Sequence, residues 1–154
     1  MLKKTFILIL LLFLSSCGYE AIHSKKNSIK NNFSISELKF YGDRDVNIKV
    51  KEKLNNYTLN KKDKNFILKI SSSTKQEVTA KDISGDPTNF RATIIINVEV
   101  LMDNNLKNNL QITESFDYSN NSNKFDLEEY KRKIITNLAE TASDELIYKL
   151  SNIQ

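Results

Sequence analysis

One cysteine, Cys17, stands among 154 residues, and the residues around it carry the most specific chemistry in the chain. It follows Leu14-Ser15-Ser16, an apolar run from Phe6 to Leu14 and the basic start Met1-Leu2-Lys3-Lys4. A positive n-region, a short apolar h-region and small residues before a cleavage point make a secretory signal. A branched apolar residue three before the cysteine, with small residues between, suits transfer of diacylglycerol to the thiol and cleavage before Cys17. The apolar run is about half the ~20 residues that span a bilayer, so a permanent transmembrane helix is not expected. A lone cysteine makes no internal disulfide, and acylation removes an otherwise free thiol. More than one acyl chain makes anchoring stable. Gly18 follows Cys17 where an aspartate commonly retains lipoproteins in the inner membrane of enteric bacteria, which favours the outer membrane.

No other cluster has catalytic spacing. The single histidine, His23, lies close behind Cys17, so no histidine base or triad is available further along the chain. Asp43 and Asp45 are close together, but helix capping explains both, and no metal site or cofactor is expected. Gly42 and Gly85 stand apart from any phosphate-cradling loop, and no Gly-x-Ser-x-Gly elbow occurs. An enzyme is therefore not expected. The precursor carries 23 basic and 19 acidic residues, a net +4. Lys3 and Lys4 leave with the signal, so the mature chain has 21 against 19, or +2. That is too little, and too dispersed, for a nucleic-acid surface. What remains is binding: Lys75, Lys81 and Arg91 cluster on neighbouring strands and the loop between them, and Arg91 could hold a phosphate bidentately. A solvated sheet face is the plainer reading of the same residues. Ile95 and Leu101 among polar neighbours also fit a protein interface.

The elements that position these residues follow from periodicity. Residues 1–16 form the signal, 17–32 a polar tether, and 33–154 a single domain. A strand is expected over Phe33–Tyr41, with Phe33, Ile35 and the Leu38/Phe40 pair inward. Asp43 or Asp45 caps a helix from about Val46 to Tyr57, with Val46, Val50, Leu54 and Tyr57 on one face. Val46, Ile48 and Val50 also alternate, so a strand there stays open. Phe66, Leu68 and Ile70 begin a second strand running to about Thr79. Asp82 to Thr88 has loop chemistry. From Asn89 to Met102, Ala92, Ile94, Ile96, Val98, Val100 and Met102 form one apolar row. Asp103-Asn104-Asn105 makes a turn, and Leu110, Ile112, Phe116 and Tyr118 mark the partner strand. A last helix runs from about Leu127 to Leu150, opened by an Asp126/Glu129 capping box. Its apolar stripe is Tyr130, Ile134, Leu138, Ala142 and Leu146, widened by Ile135, Ala139 and Leu150. The expected fold is α+β: a two-layer sandwich of a four-stranded, antiparallel-type sheet with two helices on one face, in the order β-α-β-β-β-α.

With that order, the Cys17-Gly18-Tyr19 start and the Thr79-Ala80 to Arg91 strand-loop-strand segment, the chain resembles the LPS-assembly lipoprotein (LptE) family. The run Ala92-Thr93-Ile94-Ile95-Ile96-Asn97-Val98-Glu99-Val100 is similar to the family's third strand, and Ala139 to Leu150 to its last helix. The resemblance implies a lipid-anchored, periplasm-facing outer-membrane protein without enzymatic activity. It implies a partner, a large LptD-like β-barrel that the protein plugs and helps assemble, and contact with lipopolysaccharide in transit. By position it carries lipopolysaccharide contact to Arg91, with Lys75 as companion. Arg91→Asp is then expected to weaken lipopolysaccharide binding and leave the fold intact. Relatives often continue after Tyr19 with proline or leucine and another aromatic, where this chain has Glu20-Ala21-Ile22-His23. Two other readings are a periplasmic carrier of small amphiphiles, which needs an enclosed apolar cavity, and a structural envelope lipoprotein without ligand.

Overall fold

The computed structural model describes residues 32–153; the signal, Cys17 and the tether up to Asn31 lie outside the described residues. The elements are β1 (Phe33–Gly42), α1 (Arg44–Leu54) with a 3-10 turn (Asn55–Tyr57), β2 (Lys64–Lys81), β3 (Pro87–Met102), β4 (Asn105–Ser119) and α2 (Lys124–Ser151). The order β-α-β-β-β-α and the α+β class are as expected. The sheet order is β1-β2-β3-β4. It is mixed rather than purely antiparallel: β1 runs parallel to β2, while β2-β3 and β3-β4 are antiparallel. The reason is connectivity. Helix α1 carries the chain back along the sheet before β2 begins, and a strand-helix-strand crossover leaves its two strands parallel.

Each strand turns its apolar row toward the helices. Phe66, Leu68, Ile70, Ile94, Ile96 and Val100 on the sheet are buried, and so are Val46, Val50, Leu54, Leu146 and Leu150 on the helices. The inward set of β1 changes parity, from Phe33 and Ile35 to Leu38 and Phe40. A bulge explains it: the register with β2 jumps between Ile35 and Glu37, inserting Ser36, whose hydroxyl donates to the Phe66 carbonyl at 3.1 Å. The β3-β4 connection is a two-residue turn in which Asp103 and Asn104 both take positive φ, 52° and 62°. This is the primed hairpin turn that matches strand twist, and Asp and Asn tolerate it.

Asp43 is the cap of α1, accepting from the Asp45 and Val46 amides at 3.0 and 3.1 Å. At the other helix the expectation was displaced. Asn123, not Asp126, is the cap, accepting from Phe125 N at 3.0 Å and Asp126 N at 3.5 Å, so α2 starts three residues early. Asparagine is as good an acceptor there as aspartate. Asp126 then sits in the first turn, where its charge faces the positive helix end, and Glu129 pairs with Lys133 at 2.7 Å. Tyr130 and Phe116, expected inward, are about half exposed (48% and 47%). Phe116 lies on the edge strand β4, beyond which no further strand of the described residues closes the layer. Ser143 and Ile147 take buried places on α2 instead.

Candidate functional site: the helix-free face of the sheet

The side chains of β2, β3 and β4 that alternate with the core rows form a face that, among the described residues, has no helix over it. Strand register stacks them into cross-strand rows: Lys69-Glu99-Asn109, Ser71-Asn97-Gln111, Ser73-Ile95-Thr113, Lys75-Thr93-Ser115 and Glu77-Arg91-Asp117. Ile67, Ile95 and Leu101 are half-buried among these polar groups. Lys69 and Glu99 pair at 3.1 Å.

Arg91 and Lys75, the residues expected to contact a phosphate, lie on this face one row apart. Neither is uncommitted. Arg91 grips Asp117 with two parallel bonds, Nε to Oδ1 at 2.6 Å and Nη2 to Oδ2 at 2.8 Å. Lys75 pairs with Glu77. The four groups form a strip of alternating sign whose formal charges cancel. The hydrogen bonds from Arg91 hold the Asp117 carboxyl below the usual carboxylate range, with its charge adding to the effect. Lys75 does the same for Glu77, first by hydrogen bond and then by charge. Both carboxylates are depressed, so the stability they add is present above the unfolded carboxylate range near 4 and is lost as pH falls through the lower folded values. Thermal stability is therefore expected to hold level from about pH 5 to 8 and to fall only below about pH 4. A midpoint that stayed level from about pH 5 down to about pH 2 would contradict that assignment.

The acids Glu77 and Asp117 were not singled out from sequence. Glu77 was within reach, because residues two apart on a strand share a face. Asp117 required the β3-β4 register, which only pairing reveals. Lys81, the third basic residue of the cluster, is exposed at the end of β2, where Asp82 caps the following loop by accepting from the Ser84 and Asp86 amides, both at 2.9 Å. Cys17 lies outside the described residues. Among the described residues there is no group of three His, Cys, Asp or Glu placed to hold a metal, and no helix long and apolar enough to cross a membrane.

No family model and no curated protein matches the sequence. Several solved structures share the fold. Rare lipoprotein B from Shewanella oneidensis superposes with a TM-score of 0.60 at 11% identity, covering 74% of this chain and 92% of that one. A minor lipoprotein from Acinetobacter baumannii gives 0.55 at 10% identity, with 75% and 90% covered. Lipoprotein B from Nitrosomonas europaea gives 0.52 at 12% identity, with 77% and 86% covered. At these identities the likeness is one of fold, and each of these neighbours is a bacterial lipoprotein.

Proposed function

We propose that this chain is a non-enzymatic outer-membrane lipoprotein of the LptE type, anchored through Cys17, that assembles with and plugs an LptD-like β-barrel for delivery of lipopolysaccharide to the outer leaflet. The observation that carries the reading is agreement between two independent features. The sequence places a lipid-acceptor cysteine at the end of an export signal, and the domain behind it has the fold of rare lipoprotein B, a protein of the LptE family. A rigid two-layer domain with one sheet face free of helices is the kind of body that can fill a barrel lumen. Binding only the assembled barrel would stabilise that state over others.

The test is an affinity pull-down of the tagged, lipidated protein from detergent-solubilised outer membranes. A large β-barrel partner recovered near one-to-one, identified by mass spectrometry, is the expected result. Recovery of the protein alone would overturn the translocon assignment.

Lipopolysaccharide contact at Arg91 has its own test, sharpened by the Asp117 pair. An aspartate at position 91 would set three acids in one cross-strand row, which is itself destabilising, so Arg91→Gln is the cleaner substitution. It is expected to weaken binding of lipopolysaccharide to the purified, lipidated protein about tenfold, the value of one charge-assisted hydrogen bond of ~1.5 kcal/mol. Asp117→Asn removes the competitor for the guanidinium and is expected to tighten binding a fewfold. Equal affinities for all three proteins would show that Arg91 does not meet the lipid.

A further inference from the structure

The chain enters the described fold at Asn32, whose side-chain amide donates to the Ser151 carbonyl at 3.1 Å. Asn32 lies fifteen residues after Cys17 in the chain. That length reaches roughly 50 Å only when drawn out straight, and a coil of the same length averages about 22 Å. The far end of β2 lies ~55 Å along the strand from Lys64 at 3.3 Å per residue. The Asn32 end is therefore the end held at the bilayer whenever Cys17 carries acyl chains.

The loop between the 3-10 turn and β2 is pinned at that end. Lys64 pairs in register with Phe33, the Lys62 amide donates to Ser34 Oγ at 2.9 Å, and the Phe33 ring stacks on Tyr57 with centroids 4.7 Å apart. The loop presents Leu59, 77% exposed, beside exposed Lys61 and Lys62. Many lysines elsewhere are committed: Lys53, Lys69, Lys75 and Lys133 to carboxylates, and Lys64 to the Ile153 carbonyl at 2.7 Å. Lys61 and Lys62 make no ion pair among the described residues. The tether adds Lys25, Lys26 and Lys30 against the single Glu20. An exposed apolar side chain flanked by unpaired lysines matches the chemistry of an anionic bilayer surface: a hydrocarbon boundary under a layer of phosphates.

We propose that the loop over residues 58–63 docks the domain on an anionic membrane surface, with Leu59 entering the headgroup layer and Lys61 and Lys62 pairing with lipid phosphates. This rests on the reading of Cys17 as the acyl carrier, and it describes the domain on its membrane before a barrel partner is engaged. Docking stands the long β2-β3 hairpin away from the lipid, leaving the sheet face and its tip open to that partner. Each lysine is expected to contribute about fivefold to the docked population at low salt.

Acylation of Cys17 leaves Leu59→Cys with the only free thiol, so an environment-sensitive dye reports on position 59 alone. The full lipidated protein is reconstituted in vesicles of phosphatidylcholine, with or without about one-third phosphatidylglycerol. The expected result is blue-shifted emission, about threefold brighter with the anionic lipid. The gain should disappear in Lys61→Glu/Lys62→Glu and in 1 M salt, where the Debye length is about 3 Å. The same dye at Ile83→Cys, at the hairpin tip, should not respond. Equal emission at position 59 in both vesicles, or an equal response at position 83, would overturn the proposal. The anchor is checked separately: if the parent protein takes the dye, Cys17 is not acylated, and the docking proposal falls with it.

Discussion

Gly42→Ala is expected to prevent stable folding or to lower stability by about 3 kcal/mol or more. Two effects add. Gly42 has φ +87°, a conformation that costs any L side chain about 1–2 kcal/mol. A methyl group there would also overlap the Ser72 carbonyl oxygen and lie 3.0 Å from the Ser72 carbonyl carbon. That oxygen is backbone in the second strand and cannot swing aside. It is also in use, accepting from the Asp43 amide at 3.0 Å. The same few residues join β1 to α1. Ser72 Oγ, with its single proton, donates to Asn47 Oδ1 at 2.8 Å and lies 3.1 Å from the Asp43 carbonyl, and Thr74 Oγ1 donates to Asp43 Oδ2 at 2.8 Å. Moving Gly42 off Ser72 would loosen the helix cap and the parallel strand pair together. Gly85→Ala is the control. Gly85 has nearly the same φ, +89°, but open space around it, so only the backbone cost of about 1–2 kcal/mol is expected. Denaturant midpoints of the two variants separate crowding from strain. Equal losses would show that the contact with Ser72 is unimportant.

Leu146→Ala is expected to cost about 3–4 kcal/mol and to lower the melting temperature by roughly 10 °C. Leu146 is fully buried on α2, within the cluster that joins both helices to the sheet. Removing three methylene-sized groups there loses their transfer energy and leaves a hole that neighbours on a sheet and two helices cannot collapse to fill. Against a total stability of about 5–15 kcal/mol this is a large fraction. Lys53, reaching from α1 to Glu140 at 2.6 Å and Asp144 at 3.4 Å, fixes the helix pair at the surface but cannot compensate, because exposed ion pairs contribute little. Leu59→Ala is the matching control. The same atoms are removed from a side chain that is 77% exposed, so stability should change by no more than about 0.5 kcal/mol. A melting curve for Leu146→Ala that overlaid the parent would mean the core is packed differently.

Much of this architecture was legible because its signals are local. The row from Ala92 to Val100 alternates cleanly, and every even position in it is buried. Asp43 caps its helix as its chemistry predicts, and Asp103-Asn104 turns the chain where expected. In α1 the choice between helix and strand was settled by the sheet beneath it, which buries Val46, Val50 and Leu54 at helical spacing and leaves Ile48 about half exposed. Asn123 displaced Asp126 as cap because a polar residue three positions earlier starts the helix nearly one turn sooner, capping the Phe125 and Asp126 amides, and periodicity cannot rank the two.

By itself, then, the sequence determined the places of the four strands, the β3-β4 turn and the closing helix, and most of the residues that face inward. All of these depend on residue type and short spacing. Only the tertiary structure decided the parallel pairing of β1 with β2, the exposure of Phe116 at a sheet edge and the partner of Arg91. Each depends on which strand lies beside which, and in what register. Asp117 is 26 residues from Arg91 along the chain but directly opposite it in the sheet. Sequence spacing carries no trace of that neighbour, because it is set by hydrogen-bond pairing between strands, and the charge available to a ligand on this face depends on it.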